Sequence, residues 1–184
     1  MNLKFIELFS GIGGIRLGLE SAAKELNYNT ECVFASELDK FCNITYKENF
    51  KDGFEISGDI TKINKKNIPD HDLLLAGFPC QAFSQAGKKL GFNDTRGTLF
   101  FEIQRVLEVK KPKYFLLENV KQLISHDKRD KKDKIGRTFK IIIDILENKL
   151  GYNVYWDNLN AKDFNLPQNR NRVYIFGSLK RVNF

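Results

Sequence analysis

The chain has 184 residues, 42% of them hydrophobic, which is the size of one domain that buries about 70% of its unfolded surface around a single core. Thirty basic side chains against twenty-three acidic ones leave a formal charge of +7, a surplus that suits a polyanionic partner without requiring one. Three unevenly spaced cysteines and two histidines exclude a disulfide framework and a zinc site, no stretch approaches the ~20 apolar residues of a membrane span, and Glu7 and Arg16 interrupt the N-terminal apolar run that a secretory leader needs, so a soluble intracellular protein is expected.

Apolar runs of strand length alternate with amphipathic helical stretches, the pattern of βαβ units around a doubly wound, mostly parallel α/β sheet. Residues 5–8 predict the first strand and residues 14–26 the first helix, with Leu17, Leu19 and Ala23 offered for packing. Between them FSGIGG, residues 9–14, lets the chain turn tightly and brings a ligand close to unpaired helix N-terminal N–H groups. Its adjacent Gly13 and Gly14 depart from the GxGxxG dinucleotide fingerprint, which weakens a nicotinamide reading. A second strand over 32–36 and a second helix over 40–49 follow. Glu37 ends that strand near the ~20-residue offset at which an acid binds ribose hydroxyls. A third strand is predicted over 54–58, and Asp59 just beyond it is placed to accept from an exocyclic amine. Helix capping and a turn aspartate are the competing roles for these two acids.

Residues 73–77 predict a fourth strand, central because it lacks polar alternation. It opens into GFPCQAFSQAGKKLGF, residues 77–92, and no periodic pattern returns before Gly97. Loops of that length commonly serve as functional lids, and Gly87, Gly91 and Gly97 are hinge candidates. Cys80 is the candidate nucleophile of this loop, with Lys88, Lys89 and Arg96 following to offset a thiolate charge. Taken alone, a cysteine there is more often buried and inert. Residues 98–110 predict a helix stopped by Pro112, with Phe101, Val106 and Val109 among its apolar positions, and residues 114–117 a fifth strand. HDKRDKKDKIGR, residues 126–137, is a mixed charge run that reads as a solvated loop, with a DNA-contacting patch as the competing role. Phe139, Ile142, Ile143, Leu146 and Leu150 mark one helix face, closed by a cap at Gly151. Residues 154–159 and 172–177 predict an antiparallel pair at one sheet edge, joined through Pro167. Arg170 and Arg172 alternate along an extended segment, which puts both on one face.

FSGIGG, the Pro79-Cys80-Gln81 loop, LLENV at residues 116–120 and QNRNRVYIFG at residues 168–177 resemble, in this order, the motifs of the cytosine carbon-5 DNA methyltransferases. The resemblance runs from residue 5 to residue 177 and implies a Rossmann-like S-adenosylmethionine-dependent methyltransferase fold with an antiparallel edge strand. It implies a methyl-donor pocket in which Phe9 lies against the adenine or sulfonium and the Gly11, Gly13 and Gly14 backbone lines the methionine moiety. Glu37 would bind the ribose, Leu38 would pack on the adenine, Asp59 and Ile60 would read the adenine edge, and Gly77, Pro79 and Leu99 would complete the wall.

Carbon 5 of cytosine is a poor nucleophile, so the implied chemistry begins with addition of the Cys80 thiolate to carbon 6. Glu118 would serve ring nitrogen 3, keeping a proton near neutral pH with the help of burial beside Leu116 and Leu117. Arg172 would reach the base oxygen, and Arg170 the cysteine loop or the DNA backbone. Gln81, Ser84, Lys88, Lys89 and Arg96 would contact DNA, whose target nucleotide must leave the stack to react. The family's target-recognition domain and closing segment follow the last strand and are expected to be absent from residues 1–184, leaving one catalytic domain that is weakly active or inactive without a second chain. The implied partner is double-stranded DNA at the cytoplasmic nucleoid, within a restriction-modification system and with no metal. An RNA cytosine methyltransferase and a cofactor-binding module inactive without its partner are the alternative readings.

Overall fold

The computed structural model describes residues 2–79, 99–130 and 132–183. Its strands are β1 (Asn2–Leu8), β2 (Asn29–Ser36), β3 (Leu73–Gly77), β4 (Tyr114–Val120), β5 (Asn153–Asn160) and β6 (Asn171–Ser178), and they form one sheet in the order β2-β1-β3-β4-β6-β5. β2, β1, β3 and β4 are parallel; β6 runs antiparallel to both β4 and β5. The antiparallel pair expected at one edge is therefore present, with β5 outermost. β3 is central, as its unbroken apolar sequence predicts.

Helices cover both faces. On one, Leu74, Ala76, Phe115, Leu117, Val173 and Ile175 pack with Phe100, Ile103 and Leu107 of α3 (Leu99–Lys110) and with Phe139 and Ile142 of α5 (Arg137–Asp144). On the other, Phe5, Leu73 and Leu75 meet Ile15 and Leu19 of α1 (Gly14–Glu25). Each fully buried Leu, Ile or Phe contributes about 1.5–3 kcal/mol, and alternate β3 residues feed the two faces. A third, smaller cluster joins Ala35 to Tyr46 of α2 (Lys40–Asn49) and to Phe50. The short α4 (Gln122–Ser125) follows β4. At the far edge Trp156 of β5 stands edge-on to Phe139, with ring centroids 5.0 Å apart.

Three details differ from the sequence reading. Leu17, offered there for packing, is 57% exposed, and Ile15 takes its place against the sheet. Val109 of α3 is likewise exposed, the buried face being Phe100, Ile103, Val106 and Leu107. Residues 54–58 form no strand but a single parallel bridge, Ser36 with Ser57. Phe54 and Ile56 pack instead on the Ala35, Tyr46 and Phe50 cluster, and Gly53 in the left-handed region (φ +78°) turns the chain just before them. The helix after the charged stretch continues from α5 as a π-turn, Ile145–Lys149, and Gly151 ends it with φ +79°. Among the described residues no helix is long and apolar enough to cross a membrane.

Candidate active site

The carboxyl ends of β1, β2, β3 and β4 open together on one rim, beside the point where the strand order reverses between β1 and β3. Open α/β sheets bind ligands at such a point. Because β6 runs the other way, its first residues reach the same rim: Val120, at the end of β4, pairs with Arg172. A cleft of about 810 Å³ lies there, lined by Phe9, Glu37, Leu38, Asp59, Ile60, Gly77, Pro79, Leu99, Glu118, Arg170 and Arg172. Eleven positions proposed from sequence thus share one cavity.

Glu118 and Arg172 form an ion pair, with Arg172 Nε 2.8 Å from Glu118 Oε1, and each side chain is about one-fifth exposed (21% and 19% for Arg172 and Glu118). The setting of Glu118 differs from the apolar one expected, since Leu117 faces the core and the carboxyl meets a guanidinium. Asn119, 2% exposed, donates to the Phe78 carbonyl at 2.7 Å and so ties β4 to the chain that runs into Pro79. The polar residue after Glu118 inside an apolar strand was the available signal for this tie.

Across the cleft, Glu37 accepts from the backbone N–H of Gly11 (2.8 Å) with one oxygen and from that of Asp39 (2.8 Å) with the other. A carboxylate has about four acceptor sites, so capacity remains for two ligand hydroxyls. Asp59 caps the short turn Ile60–Lys62, accepting from Thr61 Oγ1 at 2.7 Å and from Thr61 N at 3.0 Å; these bonds hold its carboxyl below the usual range. Leu38 and Phe41 leave 75% and 68% of their surfaces exposed at the cleft, and Phe41 had no signal in the sequence beyond its apolar type at a helix start.

Gly11, Gly13 and Gly14 are not among the lining residues of the cleft. Gly11 instead ties the turn to Glu37, and the space at Gly13 (φ +88°) is taken by Phe50, whose Cε2 would lie 2.2 Å from an added Cβ. Phe9 itself has φ +55°, a conformation that disfavours any residue but glycine. Beside the cleft, and sharing Arg170 and Arg172 with it, a hollow of about 400 Å³ is lined by Lys121, Gln122, Gln168, Asn169 and Asn171. Cys80, Gln81, Ser84, Lys88, Lys89 and Arg96 lie outside the described residues, as do the hinge candidates Gly87, Gly91 and Gly97. Among the described residues no group of three or more His, Cys, Asp or Glu side chains converges as a metal site.

The six-stranded sheet, mostly parallel with a single reversed strand, is the mixed α/β fold of methyltransferases. The chain belongs to the C-5 cytosine-specific DNA methylase family, whose model matches residues 3–184. It is 56% identical over 178 residues to the type II methyltransferase M.NgoBV of Neisseria gonorrhoeae, covering 97% of this chain and 42% of that protein. To M.HaeII of Haemophilus aegyptius it is 55% identical over 181 residues, covering 98% and 52%. The chain therefore spans about half the length of these relatives. The solved structure of the Entamoeba histolytica methyltransferase EhMeth superposes with a TM-score of 0.72 at 25% identity, over 98% of this chain and 54% of that one.

Proposed function

We propose that the chain is the catalytic domain of an enzyme that methylates carbon 5 of cytosine in duplex DNA, with S-adenosylmethionine as donor, in a restriction-modification setting. The observation that carries this reading is the Glu118–Arg172 pair standing in one cleft with Glu37 and Asp59, where β3 runs out through Pro79 toward Cys80. The family model supports the cytosine and DNA parts of the proposal, and the relatives named as type II methyltransferases support the restriction-modification part.

Phe9, Glu37, Leu38, Asp59, Ile60, Pro79 and Leu99 would hold the donor. The fit rests on the spare acceptor sites of Glu37 and on the apolar surface of Leu38 and Phe41 beside them. When bound, S-adenosylmethionine supplies an electrophilic methyl carbon. The Cys80 thiolate forms a bond to carbon 6 of a cytosine rotated out of the duplex, and the electron pair of the carbon 5–carbon 6 double bond becomes available at carbon 5. Glu118 shares a proton with ring nitrogen 3, and Arg172 holds the base oxygen. Once carbon 5 has taken the methyl group and the donor's sulfur has left as a neutral thioether, loss of the carbon-5 proton to a base restores the double bond and releases the thiolate. Gln81, Ser84, Lys88, Lys89 and Arg96 contact the DNA, and the hollow around Lys121 and Arg170 takes the flanking backbone.

Duplex DNA carrying fluorocytosine at the target base tests the reading. Complemented with the recognition region, wild type is expected to give a covalent adduct on a denaturing gel in the presence of donor, and Cys80→Ser none. An equal adduct from both would overturn the role of Cys80. Tritium transfer from labelled donor to duplex DNA and to transfer RNA compares the two substrates, and transfer to RNA alone would replace the DNA reading.

A further inference from the structure

Arg16, which does not line the cleft, is 6% exposed and makes four side-chain hydrogen bonds. Its Nη1 donates to the Tyr46 hydroxyl at 2.8 Å, its Nη1 and Nη2 to the two Asp52 oxygens at 2.5 and 2.6 Å, and its Nε to Glu20 at 2.7 Å. The guanidinium carbon sits 3.9 Å from the centroid of the Phe50 ring. Tyr46 donates onward to Glu7 Oε2 at 2.5 Å. A planar, five-donor cation suits such a simultaneous fork and stack; lysine does not.

These contacts close a ring around the turn that carries Phe9. Glu7 lies two residues before Phe9 on β1; Tyr46 and then Arg16 follow through the bonds above; and Arg16 lies in the first turn of α1, just after Gly13 and Gly14. The same Phe50 ring that lies under Arg16 fills the space against Gly13. Within the enclosed segment Phe9, Gly11 and Gly13 all have positive φ (+55°, +54° and +88°); glycine adopts it freely, but at Phe9 such backbone persists only where its surroundings over-determine it. From Asp52 the chain runs on through Phe54 and Ile56, which pack on Tyr46 and Phe50, to Gly58, Asp59 and Ile60 in the lining of the cleft.

We propose that Arg16 is a positioning residue for the methyl-donor site, bracing the Phe9-to-Gly14 turn and the Asp59 wall through Tyr46, Asp52 and Phe50 so that the pocket is set before the donor arrives. The inference rests on the reading of the cleft as that site. None of the bracing side chains of Arg16, Tyr46, Phe50 or Asp52 lines the cleft, so they act through the backbone of those that do. Glu7 gives the brace a second signature. Burial holds its carboxyl up at about 7, against the opposing pull of Tyr46 and Arg16. The groups facing it are Tyr46 from α2, Arg16 and Glu20 from α1 and Cys32 from β2, with Asp52 beyond Arg16; Leu75 of β3, opposite Glu7 in the sheet, carries no charge. As a carboxylate Glu7 fixes the Tyr46 hydroxyl as a donor toward itself and leaves the phenol oxygen to Arg16.

Binding of S-adenosylhomocysteine, followed by calorimetry between pH 6 and 8, tests this. Tyr46→Phe and Asp52→Asn are expected to weaken affinity about tenfold while far-UV circular dichroism shows the fold retained. Wild-type affinity is expected to rise severalfold from pH 6 to 8, and Glu7→Gln to flatten that rise, a readout that a purely structural role would not move. Folded Tyr46→Phe and Asp52→Asn variants with wild-type affinity, or a pH profile unchanged in Glu7→Gln, overturn the brace while leaving the donor site standing. Wild type that fails to bind at any pH overturns the donor site itself, and this inference with it.

Discussion

Glu7, 2% exposed, has a carboxyl raised to about 7 by burial, against an ordinary value of 4.5. Between those two values the folded protein keeps a proton that the unfolded chain has released, so stability falls as pH rises through this window. The stabilising contribution is complete below about pH 4.5 and lost by about pH 7. Relative to Glu7→Gln, wild type is expected to lose on the order of 3 kcal/mol of unfolding free energy from pH 4.5 to 7.5; urea titrations at several pH values measure it, and parallel curves for the two proteins would contradict it. Gly13 belongs to the same scale. An alanine there would need a positive φ and would collide with Phe50, so Gly13→Ala is expected to destabilise by about 2–4 kcal/mol. Catalysis has its own residue test: Glu118→Gln keeps the shape of the pair with Arg172 but removes the carboxyl, and a loss of about 10²–10⁴ in kcat is expected, with donor affinity nearly unchanged.

The elements differ in how openly the sequence announces them. β1, β3 and β4 are apolar because both their faces are covered, and their runs stand out from the helical stretches around them. The stretch 54–58 has the same local composition as a strand, yet it gains only the Ser36–Ser57 bridge because its aromatic and aliphatic side chains already have partners on α2. Glu37, Glu118 and Arg172 were legible because each stands near the end or start of a strand, where topology alone brings it to the rim, whereas Asp59 is held there by the Ser36–Ser57 bridge just before it. Arg16 was not: a cation inside an amphipathic helix reads as solvated, and only the meeting of α1 with Tyr46 and Asp52 buries it. The junction of α4 and α5 was equally hidden. Gly136 donates to the Ile124 carbonyl at 2.7 Å, and an added Cβ would lie 1.8 Å from the His126 carbonyl oxygen. Backbone cannot yield as a side chain does, so Gly136→Ala is expected to lower the melting temperature measurably, by loss of about 2–4 kcal/mol.

Across the whole molecule, one reversed strand decides which chemistry the rim can hold. Four parallel strands deliver their final residues there, and β6 delivers its first, so a cation from the C-terminal part of the chain meets a carboxyl from the middle without a long connection. The surplus of seven positive charges acts at the same scale through the surface potential. If the hollow holding Lys121 takes DNA backbone, Lys121→Gln should lower affinity for duplex DNA and reduce the slope of log K against log salt by about 1, while S-adenosylhomocysteine binding stays as in wild type. An unchanged slope would remove Lys121 from the interface.

Trp156, the sole tryptophan of the chain, sits on the outermost strand against Phe139, with β6 between it and the four parallel strands. Its ultraviolet emission is consequently a reporter of whether α5 remains docked on the outer strand pair, from a residue that does not line the cleft. A single cuvette can then follow two events by separate signals: loosening of that corner by fluorescence, and ligand uptake by heat.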